Sequence, residues 1–516
     1  MKQSRLKMNF KVSQIVFIFS LLLLTVIWMQ APAFSAQEAV NVDSDFITVY
    51  PGVLTAKEKA TVEKWDADNK AIDERGPVDI KALINGTLPA DTPGVGKKLV
   101  VTREMSLYAS GKYDPENPVL NDAAYAKKLG YKDIIAYATF AANDDIIMPK
   151  YPTRDKLLVS DLNHNITCYK PIYPGDTIYT VINKRYTVDM TPAGGSTYRH
   201  LCIYSEASLY NQNGEKVQDA IFRVMENLRF LKEGKTALSD GGPMPAWESP
   251  AWTNRPVYKY TDADWDRIKK IWAGEKRQGA TPLYWEDVKV GDYTTRTADG
   301  PIMASVTPTE PYGMGIGGSR TLKKEIMDPA EFKTMYKDAN GVWLTKDSSV
   351  YIPVVPDQEK KEKTASSVDA NTVSDIKTAD IHKSSETKRA TLINFMGRDI
   401  AIRNIDNWMG DRGWLYNIRW SIMAPSAMKA AGKNVPQSPF TERYVHRVPV
   451  LAKANRVVNG HPLSNDLLIA QAYVERKYVM NNEYYVDLVW WDETIDGYIV
   501  EEGGATVRLP SKTEKK

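Results

Sequence analysis

Histidine is the side chain most often used for proton transfer and metal binding, and this sequence holds few of them. Its five histidines are scattered along 516 residues. They form no His-Glu-x-x-His pattern and no Cys/His cluster, so no metal site is expected. His164 and His461 lie beside strand-like segments. A histidine there either serves a pocket or packs as a hydrogen-bonded core residue, and both interpretations stay open.

A glycine-rich run at 313–318 has the Gly-x-Gly-x-x-Gly spacing of dinucleotide-binding loops. It follows Pro308 and Pro311 instead of a strand, and no βαβ pattern surrounds it. A loop is therefore the better interpretation. The sequence also contains no Gly-x-Ser-x-Gly and no Walker A motif. No cofactor is expected.

Cys168 and Cys202 are the two cysteines of the chain. An exported protein could pair them, but both fall in strand-like runs, where a buried free thiol is the simpler interpretation. With two cysteines in so long a chain, the fold cannot depend on disulfides.

The composition is that of a globular protein, with 43% hydrophobic and 25% charged residues and a net charge of +3. It excludes a disordered chain, a collagen and a coiled-coil rod. The balanced charge argues against nucleic acid as the main partner, since that needs a clustered basic face. Abundant tyrosine (28) and tryptophan (13) favour β-structure.

The first 36 residues have the order of a secretory signal. Basic residues precede an apolar run at 15–29, and small residues follow at 31–36. The run is short for a membrane span, which needs roughly 20 apolar residues, so cleavage near 33–36 is expected. An uncleaved anchor is the alternative, and either version exports the rest of the chain. The predicted location is the periplasm or the exterior, with no membrane contact after cleavage.

Helix and turn signals define the elements that follow. Thr55 and Glu58 form a capping box that opens a helix over 55–73, and Thr261 and Asp264 open another. A shorter helix is predicted over 121–130, and a helix-like stretch near 395–420. Residues 164–225 and 467–510 are rich in strand formers, with hairpin signals at Asn213-Gly214 and Asp496-Gly497.

The same order of signals occurs twice: helix, strand, turn, long strand, hairpin, strand. This order indicates an internal duplication. We expect an α+β protein with a signal at 1–36, a helical extension at 37–90, a first domain at 91–231, a linker with a helix at 232–280, and a second domain at 281–510. A polar insertion without aromatic residues, 357–389, should be mobile.

Several segments resemble the MaoC-like hydratase/dehydratase family of double-hotdog proteins. They lie, in order, at 117–122, 171–176, 284–292, 407–411 and 502–510. The resemblance implies two hotdog domains, each a curled antiparallel sheet around a central helix, near 121–130 and near 410–420. The two sheets should continue into one.

The resemblance also implies a chemistry, which is the addition or removal of water at a double bond next to an acyl carbonyl. The family motif, Gly-Asp-x-Asn-Pro-x-His, supplies a carboxylate and an imidazole. Aligned on Asn117-Pro118, the first half has Pro115 and Leu120 at the two positions, so this half should be catalytically silent.

In the second half Gly410-Asp411 matches the start of the motif, and Tyr416 stands at the histidine position. Asp411 and Tyr416 are thus the catalytic residues that the resemblance implies, in a loop leading into a helix. Tyrosine, with a usual pKa of about 10, is a poor base near neutrality. The alternative is that Asp411 caps a helix and Tyr416 packs in the core.

The signal and the family chemistry conflict, because coenzyme A thioesters belong to the cytoplasm. The expected function is a hydro-lyase acting outside the cytoplasm on an unsaturated or hydroxylated acyl-type small molecule. The alternatives are a non-catalytic module that binds an apolar ligand and a protein that serves assembly. A homodimer stays open.

Overall fold

The computed structural model describes residues 46–96, 98–142, 156–235, 255–301, 323, 326–344, 396–421, 444–451, 462 and 466–513. The signal segment, the glycine-rich run 313–318, His461 and the polar insertion 357–389 lie outside these residues. The interpretations given to them stay predictions.

Helices occupy the N-terminal part and the centre of each half. In chain order they are α1 (Ala56–Glu74), α2 (Ile80–Asn85), α3 (Arg103–Tyr113), α4 (Pro118–Asn121), α5 (Ala123–Lys128), α6 (Asp262–Gly274), α7 (Pro329–Phe332) and α8 (Met396–Met409).

The strands of the described residues are mostly long. They are β1 (Leu99–Val100), β2 (Lys156–Cys168), β3 (Thr177–Asp189), β4 (Arg199–Tyr210), β5 (Lys216–Arg229), β6 (Thr297–Asp299), β7 (Tyr336–Lys337), β8 (Trp343–Leu344), β9 (Trp414–Ser421), β10 (Leu468–Met480), β11 (Glu483–Thr494) and β12 (Ile499–Leu509). Ten of them form one antiparallel sheet, in the order β1-β3-β4-β5-β2-β9-β12-β11-β10-β6.

This strand order contains the predicted duplication. The first half runs β3-β4-β5-β2 inward and the second runs β10-β11-β12-β9 inward. The two innermost strands, β2 and β9, pair antiparallel with Ile166 opposite Ile418. The sheets of the halves therefore continue into one, as expected. The hairpin turns at Gly214 and Gly497 join corresponding strand pairs, and both glycines have a positive φ.

The central helix of the second half is α8, and its position corrects the prediction near 410–420. Helix α8 ends at Met409, because Gly410 adopts a left-handed φ of 71°. The residues that follow form β9, which pairs with β12 and β2. The Gly410-Asp411 pair thus follows the central helix instead of leading into one. In the first half, the predicted helix over 121–130 is the six-residue α5 after α4.

Helix α8 lies against the sheet and builds the main core. Its buried side chains Ala401, Ile402 and Ile405 belong to a cluster that includes residues of both halves. Burial of each of the two isoleucine side chains stabilises the fold by about 1.5–3 kcal/mol. The cluster crosses the β2–β9 boundary, so the halves share one core.

Helix α1 begins with the predicted capping box, since Glu58 and Thr55 cap each other's backbone N–H groups. Its apolar side chains Val62 and Trp65 pack on strands β4 and β5 of the first half. Glu58 is fully buried and pairs with Arg199 of β4 at 2.7 Å. This ion pair attaches the N-terminal extension to the first sheet.

Helix α6 begins at its predicted cap, Thr261, with Asp264 completing the box. Its residues Trp265, Ile268 and Trp272 form a second core with Leu467 and Ile469 of the second half. The helical part of the predicted linker is therefore packed on the second sheet.

Candidate active site

A cavity lies where the two halves meet, and residues from both line it. The first half contributes α4 with its cap, the segment between α5 and β2, the end of β2 with the loop that follows, and Gln218 of β5. The second contributes the end of α8 and the start of β9, and Arg277 reaches in from the segment after α6. The cavity measures about 60 Å³. An engineered cavity that binds benzene measures about 150 Å³, so this space holds a few waters or the reacting end of a small molecule.

Asp411 lines this cavity with both carboxyl oxygens engaged. Its Oδ1 accepts from Arg277, and its Oδ2 accepts from the Tyr125 hydroxyl at 2.5 Å. The side chain is fully enclosed. The three residues come from the second half, the interdomain segment and the first half. Asp411 therefore joins the halves and holds Arg277 in place.

Arg277 is the centre of the polar group. Its Nη2 also donates to Asn117 Oδ1 at 2.8 Å, and its Nη1 lies 3.8 Å from Asp114 Oδ2. The third nitrogen, Nε, is buried and has no hydrogen-bond partner among the described residues. A buried N–H without an acceptor is unfavourable by about 1–3 kcal/mol.

Asp406, in the last turn of α8, is the titratable group best suited to hold a proton. Burial raises its pKa well above the usual range, and the charges of Asp114 and Asp411 raise it further, against the opposing effect of Arg277. Asp406 lines the cavity. One arginine thus faces three carboxyl groups, and the cluster favours a neutral Asp406.

Two tyrosines beside this group also hold their protons. Burial raises the pKa of Tyr131 to about 12, with Asp411 among the charges that add to it. Burial raises the pKa of Tyr137 well above its usual value, and its hydroxyl donates to Asp399 at 3.4 Å. Both line the cavity as neutral hydroxyls.

A second polar group on the lining surrounds Gln218. Its Nε2 donates to the Ala138 carbonyl at 2.5 Å and contacts Cys168 Sγ at 3.4 Å. Its Oε1 is buried and has no hydrogen-bond partner among the described residues. Cys168 and Cys202 are both free and buried. Burial raises the pKa of Cys168 to about 12, so its thiol is not a nucleophile here.

Tyr416 does not line the cavity, unlike Asp411. It lies on strand β9, not in a loop leading into a helix as the sequence suggested. Its ring packs edge-on against Tyr169 and Tyr485, with centroids 6.0 and 5.2 Å away. The contacts of Tyr416 are those of a packing residue, and the pairing with Asp411 implied by the resemblance is absent.

His164 lies apart from this cavity. It is buried on β2 between the rings of Phe222 and Trp420, and its Nδ1 lies 3.1 Å from Arg398. The packed alternative therefore describes it. In the first half, Leu120 lines the cavity as an apolar wall, and Asn117 caps α4 and binds Arg277.

Asp406 and Arg277 were missed in the sequence because neither lies in a motif. The position of Asp406 near the end of an amphipathic helix predicts a side chain exposed to solvent. The one sequence feature that pointed to Arg277 was its position between a capped helix and a hotdog-like segment.

Among the described residues, no cluster of three or more His, Cys, Asp or Glu could hold a metal ion. The helices described include none that is long and apolar enough to cross a membrane.

No protein-family model matches the sequence, and no curated protein matches it. Solved structures do match. A putative MaoC domain dehydratase from Chloroflexus aurantiacus is 11% identical, with a TM-score of 0.39, and the match covers 81% of this chain and 94% of that one.

Two further matches are a MaoC-like dehydratase from Phytophthora capsici and a conserved hypothetical protein from Mycobacterium tuberculosis described as having a double hotdog fold. Both are 8% identical, with TM-scores of 0.35 and 0.36. They cover 84% and 80% of this chain and 100% and 94% of their own. Identities this low transfer no residue role. By its own duplicated strand order, the chain has the double hotdog fold that its resemblance to MaoC-like hydratases and dehydratases implied.

Proposed function

We propose that the protein is a hydro-lyase that adds water to, or removes it from, a small unsaturated or hydroxylated acyl compound. The observation that carries this proposal is the half-buried Asp406, whose carboxyl pKa is raised by desolvation, on the lining of a cavity that also contains the Arg277 guanidinium. Proton transfer next to a carbonyl needs a group that holds a proton near neutral pH and a donor that stabilises the enolate.

In the proposed elimination, Asp406 acts alone as acid and base. Its carboxyl O–H gives a proton to the leaving hydroxyl, the C–O bond breaks, and water departs. Its other oxygen takes the proton from the carbon next to the carbonyl, and that electron pair forms the double bond. The carboxyl is thereby restored. Hydration is the reverse, and no co-reactant is needed.

Arg277 stabilises the negative charge that develops on the acyl oxygen. Its buried Nε–H has no acceptor among the described residues, and we assign the acyl oxygen to this guanidinium. Asp411, Asn117 and Asn407 accept from the other nitrogens and fix the plane of the guanidinium. Asp411 thus acts through Arg277 as a positioning residue.

The size of the cavity limits the substrate. About 60 Å³ accommodates the reacting carbons and their oxygens, not a long acyl chain. The Arg277 side chain, on the cavity lining, is 19% exposed. We infer that the cavity opens to the surface beside it and that the remainder of a larger substrate stays outside.

The test is a screen of short 3-hydroxyacyl and enoyl compounds, as thioesters and as free acids, followed by the absorbance of the conjugated double bond. Asp406→Asn should lower turnover by roughly 100-fold or more, since it removes the transferable proton. The matched control is Asp73→Asn on the exposed face of α1, which should leave turnover unchanged. Turnover that survives Asp406→Asn contradicts the proposed role of Asp406.

A second candidate function is a non-catalytic module that binds a small apolar ligand, favoured by the engagement of both oxygens of Asp411. The Tyr125–Asp411–Arg277 contacts join the halves whether or not chemistry occurs. The apolar wall of the cavity equally suits a small apolar ligand. If no compound turns over and apolar ligands raise the melting temperature, the binding module is the correct assignment.

A further inference from the structure

Tyr125 reaches the candidate site from the first half of the molecule. It lies on α5, and its hydroxyl donates to Asp411 Oδ2 at 2.5 Å. Tyr125 itself does not line the cavity, whereas Asp411 does. Any effect of Tyr125 on the cavity is therefore transmitted by the Asp411 carboxyl group.

The position of Tyr125 is fixed at both ends of its short helix. Asp122 caps this helix, and its Oδ1 accepts from the backbone N–H of Tyr125 at 3.1 Å. After the helix, the Leu129 carbonyl accepts from Arg412 Nη1 at 3.4 Å. Arg412 directly follows Asp411 in the chain, so α5 and the Asp411 segment are held to each other at two points.

Arg277 is surrounded by more carboxyl groups than it can pair with. Its Nη2 donates to Asp411 Oδ1, its Nη1 lies 3.8 Å from Asp114 Oδ2, and its charge opposes the raised pKa of Asp406. A guanidinium carries a planar fork of donors, so the carboxyl group that it pairs with sets its plane. The direction of the Nε–H bond thus depends on which of the three carboxyl groups holds Arg277.

The Tyr125 hydroxyl favours Asp411 as the partner of Arg277. Burial, followed by the hydrogen bond to Asp411, raises the pKa of Tyr125 to about 12, so the phenol stays a donor at neutral pH. Donation to Oδ2 orients the Asp411 carboxyl group and leaves its Oδ1 to accept from Arg277. Asn117 Oδ1 accepts from the same Nη2 at 2.8 Å, so the first half contacts Arg277 directly as well.

We propose that Tyr125 is a positioning residue, which fixes the Asp411 carboxyl group and thereby the plane of the Arg277 guanidinium. The first half, which has Pro115 and Leu120 at the motif positions, thus contributes to the reaction by orientation instead of proton transfer. This inference rests on the proposed function, because it assumes that Arg277 stabilises the acyl oxygen. Loss of orientation lowers kcat, since a displacement of about 1 Å lowers a rate by up to about 100-fold.

The first test follows Arg277 directly and needs no substrate. The full chain is labelled with ¹⁵N-arginine, and the Nε–H signal that disappears in Arg277→Lys is assigned to Arg277. In the wild type this nitrogen is buried, and its proton should exchange slowly with water. Tyr125→Phe keeps the ring and removes the donor, so the signal should shift and exchange about tenfold faster, since a released group opens more often to solvent.

The second test is a double-mutant cycle in turnover, with a compound found by the screen. Tyr125→Phe should lower kcat about tenfold and leave KM nearly unchanged, because it removes orientation and not a contact with the ligand. In an Asp411→Asn background it should lower kcat no further, since the Asp411–Arg277 ion pair through which Tyr125 acts is already lost. A role in stability alone would leave kcat unchanged.

The control variant is Tyr485→Phe, which removes another hydrogen bond from a tyrosine to a carboxylate. Tyr485 donates to Glu483 Oε2 at 2.5 Å, and neither residue lines the cavity. This variant should keep the Arg277 signal and kcat of the wild type. An unchanged Arg277 signal in Tyr125→Phe, or the same change in Tyr485→Phe, overturns the inference. Additive losses of kcat in the cycle overturn it as well.

The two proposals fail separately. If the Arg277 signal changes in Tyr125→Phe while no compound is converted, the proposed hydro-lyase activity is wrong and the positioning of Arg277 by Tyr125 stands. If compounds are converted, but the Arg277 signal and the kcat of Tyr125→Phe match those of the wild type, the activity stands and the role of Tyr125 is wrong.

Discussion

Asp492 of β11 and Glu501 of β12 are direct cross-strand partners, and both are 0% exposed. Both carboxyl groups lie against Gly397 at the start of α8. Glu501 accepts from the Trp420 indole at 3.0 Å, whereas neither oxygen of Asp492 has a hydrogen-bond partner among the described residues. The neighbouring Arg398 and Arg403 already pair with Asp399 and Asp299. Within the described residues, neither acid forms a salt bridge of its own.

This pair predicts a pH-dependent stability. Burial raises the pKa of Glu501 from 4.5 to about 8, and burial together with Glu501 raises that of Asp492. Between pH 4.5 and about 8 the folded state binds more protons than the unfolded state. The free energy of unfolding therefore falls as pH rises through this window. Urea unfolding at pH 5, 7 and 9 measures it.

The variant Glu501→Gln should flatten that dependence and be more stable than the wild type at pH 9, since the amide stays neutral. Glu493→Gln, a half-buried position on β11 facing Arg267, is the control and should keep the wild-type slope. If the stability of Glu501→Gln depends on pH as steeply as that of the wild type, the raised pKa of Glu501 is contradicted.

Gly397→Ala should destabilise the protein, because a Cβ at this position would overlap the carboxyl groups of both Glu501 and Asp492. Overpacking of this kind costs about 1–3 kcal/mol. Gly111→Ala in α3 is the matched control, since a Cβ there meets nothing within 4 Å. It should stabilise by about 0.5–1 kcal/mol, the helix preference of alanine over glycine. Thermal unfolding of both variants checks the pair, and equal shifts would refute the contact.

Asp411→Asn should lower both stability and turnover. The substitution keeps the hydrogen bond to Tyr125 but removes the ion pair with Arg277, and breaking a buried pair costs about 3–5 kcal/mol. Arg277 then loses its orientation, so kcat should fall by roughly 100-fold, while binding weakens less. Tyr416→Phe, outside the cavity lining, should leave kcat unchanged. A large effect of Tyr416→Phe with none for Asp411→Asn would reverse the assignment.

Export remains a prediction from the first 36 residues. Cell fractionation should find the mature chain outside the inner membrane, with an N-terminus between Phe34 and Gln37. Replacing two apolar residues of the run 15–29 by lysine should retain the precursor in the cytoplasm. A full-length cytoplasmic product from the wild-type gene would disprove the signal.

Size-exclusion chromatography of the mature chain tests the homodimer, which is likewise a prediction.

The local elements could be read from the sequence because their signals are local. The capping boxes at Thr55 and Thr261 lie where predicted, since each depends on residues three positions apart. The hairpins at Gly214 and Gly497 depend on positive φ angles that glycine adopts without strain. The repeated order of such signals was sufficient to predict the duplicated antiparallel sheet.

The tertiary structure decided which residues meet at the site. Arg277 and Asp411 are 134 positions apart and Tyr125 and Asp411 are 286 apart, and no local pattern encodes such contacts. Helix α8 ends before Gly410 and β9 begins at Trp414, so Tyr416 lies on a strand and outside the cavity that Asp411 lines. The motif spacing had suggested that the two residues form a pair. Asp406 gained its raised pKa from burial and from carboxyl groups of both halves. Burial and long-range charge exist only in the folded chain, so the sequence by itself determined the elements, and their packing determined which acid holds the proton.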